Sequence, residues 1–388
     1  MSDATDATLR EHYRQSLLED VVPFWLRHSP DEEHGGYYTL LDRDGSVYGT
    51  TKYTWLQGRE AWLFATLYNT VEQREEWLEA ARLGAEFLKQ HAFARDGRCW
   101  FALNRDGSPA MQPRRIFSEV FVAMGLAAYA SAAGDGEFLE LARRAYAKMV
   151  EHVYDPAVMF YRAPDGAVTP GMHASPMVAL CCSQVMAEYD EDGWYQAEID
   201  RAVTLLFEQY VREDGTIFEL VMPDGSVPDG PDGRLVNPGH AIESAWFLME
   251  EADRREDGGL IERAGRIVER SLELGWDNEH GGILYFVDIE GRPALQLEWD
   301  MKLWWVHTEA LYALLLAEKL TGDPKWRSWY ERVHEYSFSR FADPEYGEWY
   351  GYLHRDGSVA IPAKGGRWKG CFHLPRALLR CWKLLEGE

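Results

Sequence analysis

One unit recurs six times along the chain: an aromatic-rich stretch, a turn built on Asp-Gly or Glu-Gly, and a second short extended stretch. The copies are GGYYTLLDRDGSVYG (35–49), GRCWFALNRDGSPA (97–110), VMFYRAPDGAVTP (158–170), GTIFELVMPDGSVP (215–228), GGILYFVDIEGRPA (281–294) and GEWYGYLHRDGSVA (347–360). Their turn glycines, 45, 107, 166, 225, 291 and 357, are 59 to 66 residues apart. Asp-Gly between alternating residues is a hairpin signal, because the turn needs residues that tolerate positive φ. A repeat of this length also limits the architectures open to the chain. Between hairpins the apolar period becomes helical, in paired segments: 53–71 with 74–93, 114–132 with 136–152, 173–189 with 194–212, 239–254 with 259–275, and 301–320 with 325–340. Segments 8–27 and 370–386 make a sixth pair from the two chain ends. The pattern predicts an all-α (α/α)6 barrel with short β-hairpins at the cleft end, as one domain over residues 1–388. An open solenoid of the same pairs would need polar capping repeats at its ends, which the sequence lacks.

In such a ring the helix after each hairpin starts at one common mouth. Helix N-termini offer orphan N–H groups and a favourable potential for a developing anion there. The residues at these starts are therefore the candidate site. They are Tyr53, Trp55 and Arg59 after the first hairpin, Arg115 and Glu119 after the second and His173 after the third. His240 and Glu243 follow the fourth, Asp300, Lys302, Trp304, Trp305, His307 and Glu309 the fifth, and Lys369, His373 and Arg376 the sixth. With only 12 His in the chain, this concentration is informative. Glu243 lies three residues beyond His240 on the same helix face, where it could orient the imidazole. Glu309 sits in an apolar helix and requires a partner, Arg59 or a histidine. The 16 Trp suit a cleft that stacks the C–H faces of sugar rings.

Composition narrows the ligand. Net charge is −24, from 64 Asp+Glu against 40 Lys+Arg. That argues against nucleic acid or an anionic membrane as partner. The five cysteines are odd in number and have no CxxC spacing, which argues against a disulfide framework or a structural zinc site and fits a reducing compartment. No signal-peptide pattern or transmembrane run occurs, so a cytoplasmic location is expected. No HxxxH or HExxH spacing occurs, and the chemistry is expected to need no metal or other cofactor.

The motifs KYTWLQGR (52–59), GRLVNPGHAIESAWFL (233–248), MKLWWVHTEAL (301–311), GEWYGYLHRDG (347–357) and KGGRWKGCFHLPR (364–376) resemble the N-acylglucosamine 2-epimerase family, in order and over nearly the whole chain. The resemblance implies an (α/α)6 barrel and an isomerase acting on a small sugar. It implies that His240 and His373 are the acid/base pair, with supporting roles for Arg59, His173, Glu243 and Glu309. The KGCFHLPR form is similar to the N-acetylglucosamine branch, which implies interconversion of N-acetylglucosamine and N-acetylmannosamine. The His in HASPM (173–177) is a feature of the free-sugar branches, so a mannose–glucose epimerase, a mannose–fructose isomerase and a cellobiose-type 2-epimerase stay open. A homodimer is a family expectation. Activation by ATP is left open, since no GxxxxGK[ST] loop is present.

The chemistry follows from carbohydrate acidity. The C2 proton can be removed only from the open-chain aldose, where the adjacent carbonyl delocalises the charge into an enediolate. Inversion then needs an acid on the opposite face. Two imidazoles, with ordinary pKa near ~6.5, can be one neutral base and one charged acid at neutral pH. Two other classes compete. An inverting glycoside hydrolase needs two carboxylates roughly 6.5–9.5 Å apart, for which Glu243, Asp300 and Glu309 are available. A non-catalytic sugar- or protein-binding module would show no substrate proton exchange.

Overall fold

The computed structural model describes residues 3–159, 166–191 and 194–387. The helices, in chain order, are α1 (Asp3–Gln15), α2 (Val22–His28), α3 (Thr54–Thr70), α4 (Glu75–His91), α5 (Phe117–Ala133), α6 (Gly136–His152), α7 (Pro156–Met159), α8 (Ala174–Tyr189), α9 (Tyr195–Leu205), α10 (Pro238–Arg254), α11 (Gly258–Gly275), α12 (Trp304–Thr321), α13 (Lys325–Arg340) and α14 (His373–Glu386). The periodic segments read from the sequence all carry helix. Segment 8–27 is split by a π-helical turn at Ser16–Val21, and 194–212 ends in another at Leu206–Tyr210.

The described residues form two compact units. One comprises Met1–Pro23, Leu205–Pro362 and His373–Glu388; the other comprises Phe24–Thr204 and Ala363–Phe372. In the second, α3 packs on α4 and α5, and α5 packs on α6 and α8. Every residue of α3 from Thr54 to Leu67 is buried, whereas α4 buries only a stripe from Trp77 to Leu88. That contrast is the expected one between a helix covered on all sides and an amphipathic outer one. Gly58 of α3 and Gly125 of α5 let the two backbones touch. A Cβ on Gly58 would overlap the Phe121 carbonyl, and one on Gly125 the Gly58 carbonyl. In the first unit α10 packs on α11 and α12, α12 on α13 and α14, and α1 on α14, so the two ends of the chain meet. Side-chain caps start α6 (Asp135), α10 (Asn237) and α11 (Asp257). Left-handed glycines, Gly134 and Gly322, end α5 and α12.

The hairpin turns close as the Asp-Gly signal predicts, and the structure sets their type. In the first, Gly45 N–H donates to the Asp42 carbonyl and Asp42 N–H to the Ser46 carbonyl. Gly45 alone takes a positive φ, 84°, and a separate register shift lies between Leu40 and Leu41, opposite Val47 and Gly49. This is a three-residue loop with a glycine bulge. Asp44 keeps a negative φ and accepts from both the Ser46 N–H and hydroxyl. The same pattern recurs at Asn104–Ser108, Met222–Ser226 and His354–Ser358. The third copy, 158–170, lies partly outside the described residues, at 160–165. The fifth does not close as a hairpin: its strand Val287–Asp288 pairs antiparallel with Leu235–Val236.

Each unit also contains the same buried ionic key. Lys52 Nζ binds Asp31 Oδ2 at 2.9 Å and the Gly35 carbonyl, and Arg105 Nε meets Asp31 Oδ2 at 3.0 Å. In the other unit Lys302 Nζ binds Asp277 Oδ2 at 3.0 Å and the Gly281 carbonyl, with Arg355 Nε 2.8 Å from the same carboxylate. Burial raises each aspartate's pKa, but the arginine and lysine hydrogen bonds outweigh it and hold both well below the usual carboxylate range. These keys tie an Asp-x-x-x-Gly-Gly turn to the residue pair that opens α3 or α12. Lys302 is thus a structural cation rather than a cleft residue.

Candidate active site

His240 lies in the first turn of α10, where the Asn237 side chain caps its N–H at 3.1 Å and Pro238 opens the helix. Its Nδ1 is 3.1 Å from both oxygens of Glu219. His373 opens α14, and its Nδ1 lies 2.7 Å from Glu309 Oε1. Both imidazoles neighbour one indole, Trp305, with ring centroids 5.2 Å from it for His240 and 5.6 Å for His373. Trp304 sits edge-on to His373 and packs against Tyr352.

Around His373 the groups form a closed network. Arg376 Nη2 donates to Glu309 Oε1 at 2.7 Å and to Glu243 Oε1 at 2.6 Å. Trp246 Nε1 donates to Glu309 Oε2 at 2.8 Å. Glu309 is 1 % exposed and Arg376 3 %. The i, i+3 spacing puts Arg376 one turn below His373. Glu243, Glu309 and His373 have the donor types of a metal site, their ligand atoms lying within 4.8 Å of one another. The Arg376 guanidinium, however, already binds both carboxylates, so a protein cation fills the position that an ion would take. Shared by one guanidinium, these two carboxylates also lack the opposed placement around a water that the hydrolase reading requires.

Several expectations are corrected. Glu243 does not orient His240; its carboxylate turns to Arg376, and Glu219 takes the His240 Nδ1. Glu309 is answered by His373 and Arg376. His307 is no substrate contact. It is fully buried, its Nδ1 donates to the Leu303 carbonyl at 2.8 Å, and its Nε2 accepts the Ile283 N–H at 2.9 Å. Burial lowers its pKa to about 3, so it is neutral at working pH. Gln57 has the same task in the other unit, its Oε1 accepting the Tyr37 N–H at 2.7 Å. His307→Gln is therefore expected to cost less than about 1 kcal/mol. His307→Ala, which strands the buried Ile283 N–H, is expected to cost about 1–3 kcal/mol. Urea titration of both variants checks this; equal losses would contradict it.

In the other unit, Arg59 is held between aromatic faces, its guanidinium carbon 4.5 Å from the Trp55 ring, 4.0 Å from Phe121 and 4.5 Å from Phe372. Tyr53 packs against Phe101, and its hydroxyl accepts from Arg367 Nε at 3.2 Å. Glu119 departs from its expected role. Fully buried, it accepts from Arg98 and from the Cys99 N–H at 3.0 Å, and so anchors the second hairpin. His173 is buried at the N-cap of α8.

Glu219 was missed by the sequence reading, and Arg376 was named only as a helix-start residue. The signal for Glu219 was present: a single carboxylate inside the apolar run IFELV (217–221), which is costly there unless paired.

A family model for N-acylglucosamine 2-epimerase matches residues 36–377. The N-acylglucosamine 2-epimerase of Bos taurus is 42% identical over 381 residues, covering 95% of this chain and 90% of that protein. The Homo sapiens protein of the same name is 41% identical over 380 residues, covering 95% and 88%. Among solved structures, the cellobiose 2-epimerase from Spirochaeta thermophila superposes with a TM-score of 0.84 at 21% identity, over 99% of this chain and 98% of that one. A D-mannose isomerase superposes with a TM-score of 0.80 at 18% identity, over 98% of each. The fold is the α/α barrel that the repeats predict. With the matched region spanning both histidines and their carboxylate partners, the chain belongs to the N-acylglucosamine 2-epimerase family.

Proposed function

We propose that this protein is a sugar 2-epimerase that interconverts N-acetylglucosamine and N-acetylmannosamine, with His240 and His373 exchanging the proton on C2. The observation that carries the reading is the pair of imidazoles at one indole, each held through Nδ1 by a carboxylate. The relatives at 41–42% identity support the substrate class, since both carry the N-acylglucosamine name.

The chemistry proceeds from the open-chain aldehyde. One neutral imidazole takes the C2 proton, and the C–H electron pair moves into a planar enolate across C1 and C2. The other imidazole, protonated, delivers to the opposite face. A carboxylate on Nδ1 fixes the ring and compensates the charge that appears on it during transfer. The start of α10 adds the positive end of a helix dipole where anionic charge develops. Around His373, two carboxylates face one guanidinium, and the proton on the imidazole completes charge balance. No step requires a metal, because the enolate charge meets protonated nitrogen. Arg59 on the Trp55 indole, with Tyr53 beside Arg367, offers the residue types of a sugar contact, an indole face matching pyranose C–H faces.

The test is proton NMR in D2O with chelator present, on N-acetylglucosamine and, in parallel, on mannose. The expected result is loss of the C2 proton signal with growth of N-acetylmannosamine. Turnover of mannose alone would replace the substrate assignment by a free-hexose one. Absence of exchange on both would overturn the epimerase reading.

A further inference from the structure

We propose that Glu219 is the positioning residue of His240: it holds the Nδ1–H tautomer, so that Nε2 is the atom that takes and returns the C2 proton. This rests on the two-histidine reading above and names the carboxylate that holds one of its bases.

The geometry is specific. Both Glu219 oxygens lie 3.1 Å from Nδ1, so the carboxylate meets the N–H symmetrically rather than through one oxygen. An ionised carboxylate only accepts, so its presence at Nδ1 selects the tautomer with hydrogen there and a lone pair on Nε2. When Nε2 receives the proton from C2, the C–H pair stays with the enolate and the imidazolium forms beside an existing negative charge. Glu219 keeps its charge throughout.

The placement of Glu219 is built independently of the histidine. Its N–H donates to the Leu235 carbonyl at 3.2 Å, and the turn after it is closed by Gly225. Leu235 and Val236 are in turn paired with Asp288 and Val287, and Arg234 clasps Asp288 at 3.0 Å. Asn237, the next residue, caps the first turn of α10 through the His240 N–H. Carboxylate and imidazole are thus both referenced to residues 235–240, which fixes their separation. Glu243 has the helical spacing for this role but is committed to Arg376. The Glu219 side chain is 12% exposed, too sheltered for a solvated surface charge.

The test compares Glu219→Gln, Glu219→Ala and His240→Asn by C2 proton exchange in D2O, starting from each epimer separately. With one base per face, loss of His240 leaves His373 able to exchange one epimer without inverting it. The Glu219 variants are expected to lose exchange, by about 100-fold or more, in the epimer that His240→Asn loses. They should keep the other within about threefold, with KM changed by a similar small factor. The retained exchange also certifies the fold. Loss of both exchanges together in the Glu219 variants, or retention of both, would overturn the assignment. Inversion by His240→Asn itself would instead overturn the two-histidine reading, so the two failures are distinct.

Discussion

His373→Asn is expected to lower kcat for 2-epimerisation by about 10³-fold or more, the upper range for loss of a general acid or base. Asn can still donate to Glu309, so the network of Glu309, Arg376, Glu243 and Trp246 keeps its partners and thermal stability should change little. What is lost is a group that both accepts and delivers a proton near neutral pH. An amide does neither. Exchange in D2O should survive only in the epimer served by His240, complementary to the pattern of His240→Asn. The measurement is single-substrate NMR kinetics alongside circular dichroism. A kcat within tenfold of the parent, with the fold intact, would remove His373 from the chemistry.

The second large effect is on stability. Arg376→Met is expected to cost about 3–5 kcal/mol of unfolding free energy, because it leaves two buried carboxylates facing each other without their shared cation. Against a typical total of roughly 5–15 kcal/mol this is severe. The companion Arg376→Met/Glu243→Gln removes one of the two stranded charges and should recover part of the loss, which keeps the test readable if the single variant folds poorly. Equilibrium urea unfolding of both decides it. A loss below about 1 kcal/mol in the single variant would mean that water, not Arg376, answers these carboxylates.

Much of the architecture is legible in the sequence. The turn glycines and the change of period between them located the helices, because a helix buried on all sides and an amphipathic one write different patterns. The end-to-end pairing of α1 with α14 followed from counting. The turn type was not legible, since Asp-Gly serves two-residue turns and glycine-bulge loops alike. The choice between them depends on the backbone path, here with Asp44 at negative φ and only Gly45 at positive φ.

The site divides the same way. Sequence determined that His240 and His373 stand at helix starts, and that Arg376 lies one turn beyond His373. These are properties of helical spacing, which the chain encodes locally. Tertiary structure decided the partners. Glu243 shares a face with His240 by spacing, but a face is about 100° wide, and packing of α10 and α14 on α12 lets its carboxylate turn to Arg376. His307 looks from sequence like the other helix-start histidines, and only the fold shows both its nitrogens consumed by backbone groups. Glu219 lies 21 residues before His240, on a different element, and no local rule joins them. A helix or turn is set by neighbours along the chain, whereas a hydrogen-bond partner is set by which buried polar group the packed fold brings within about 3 Å.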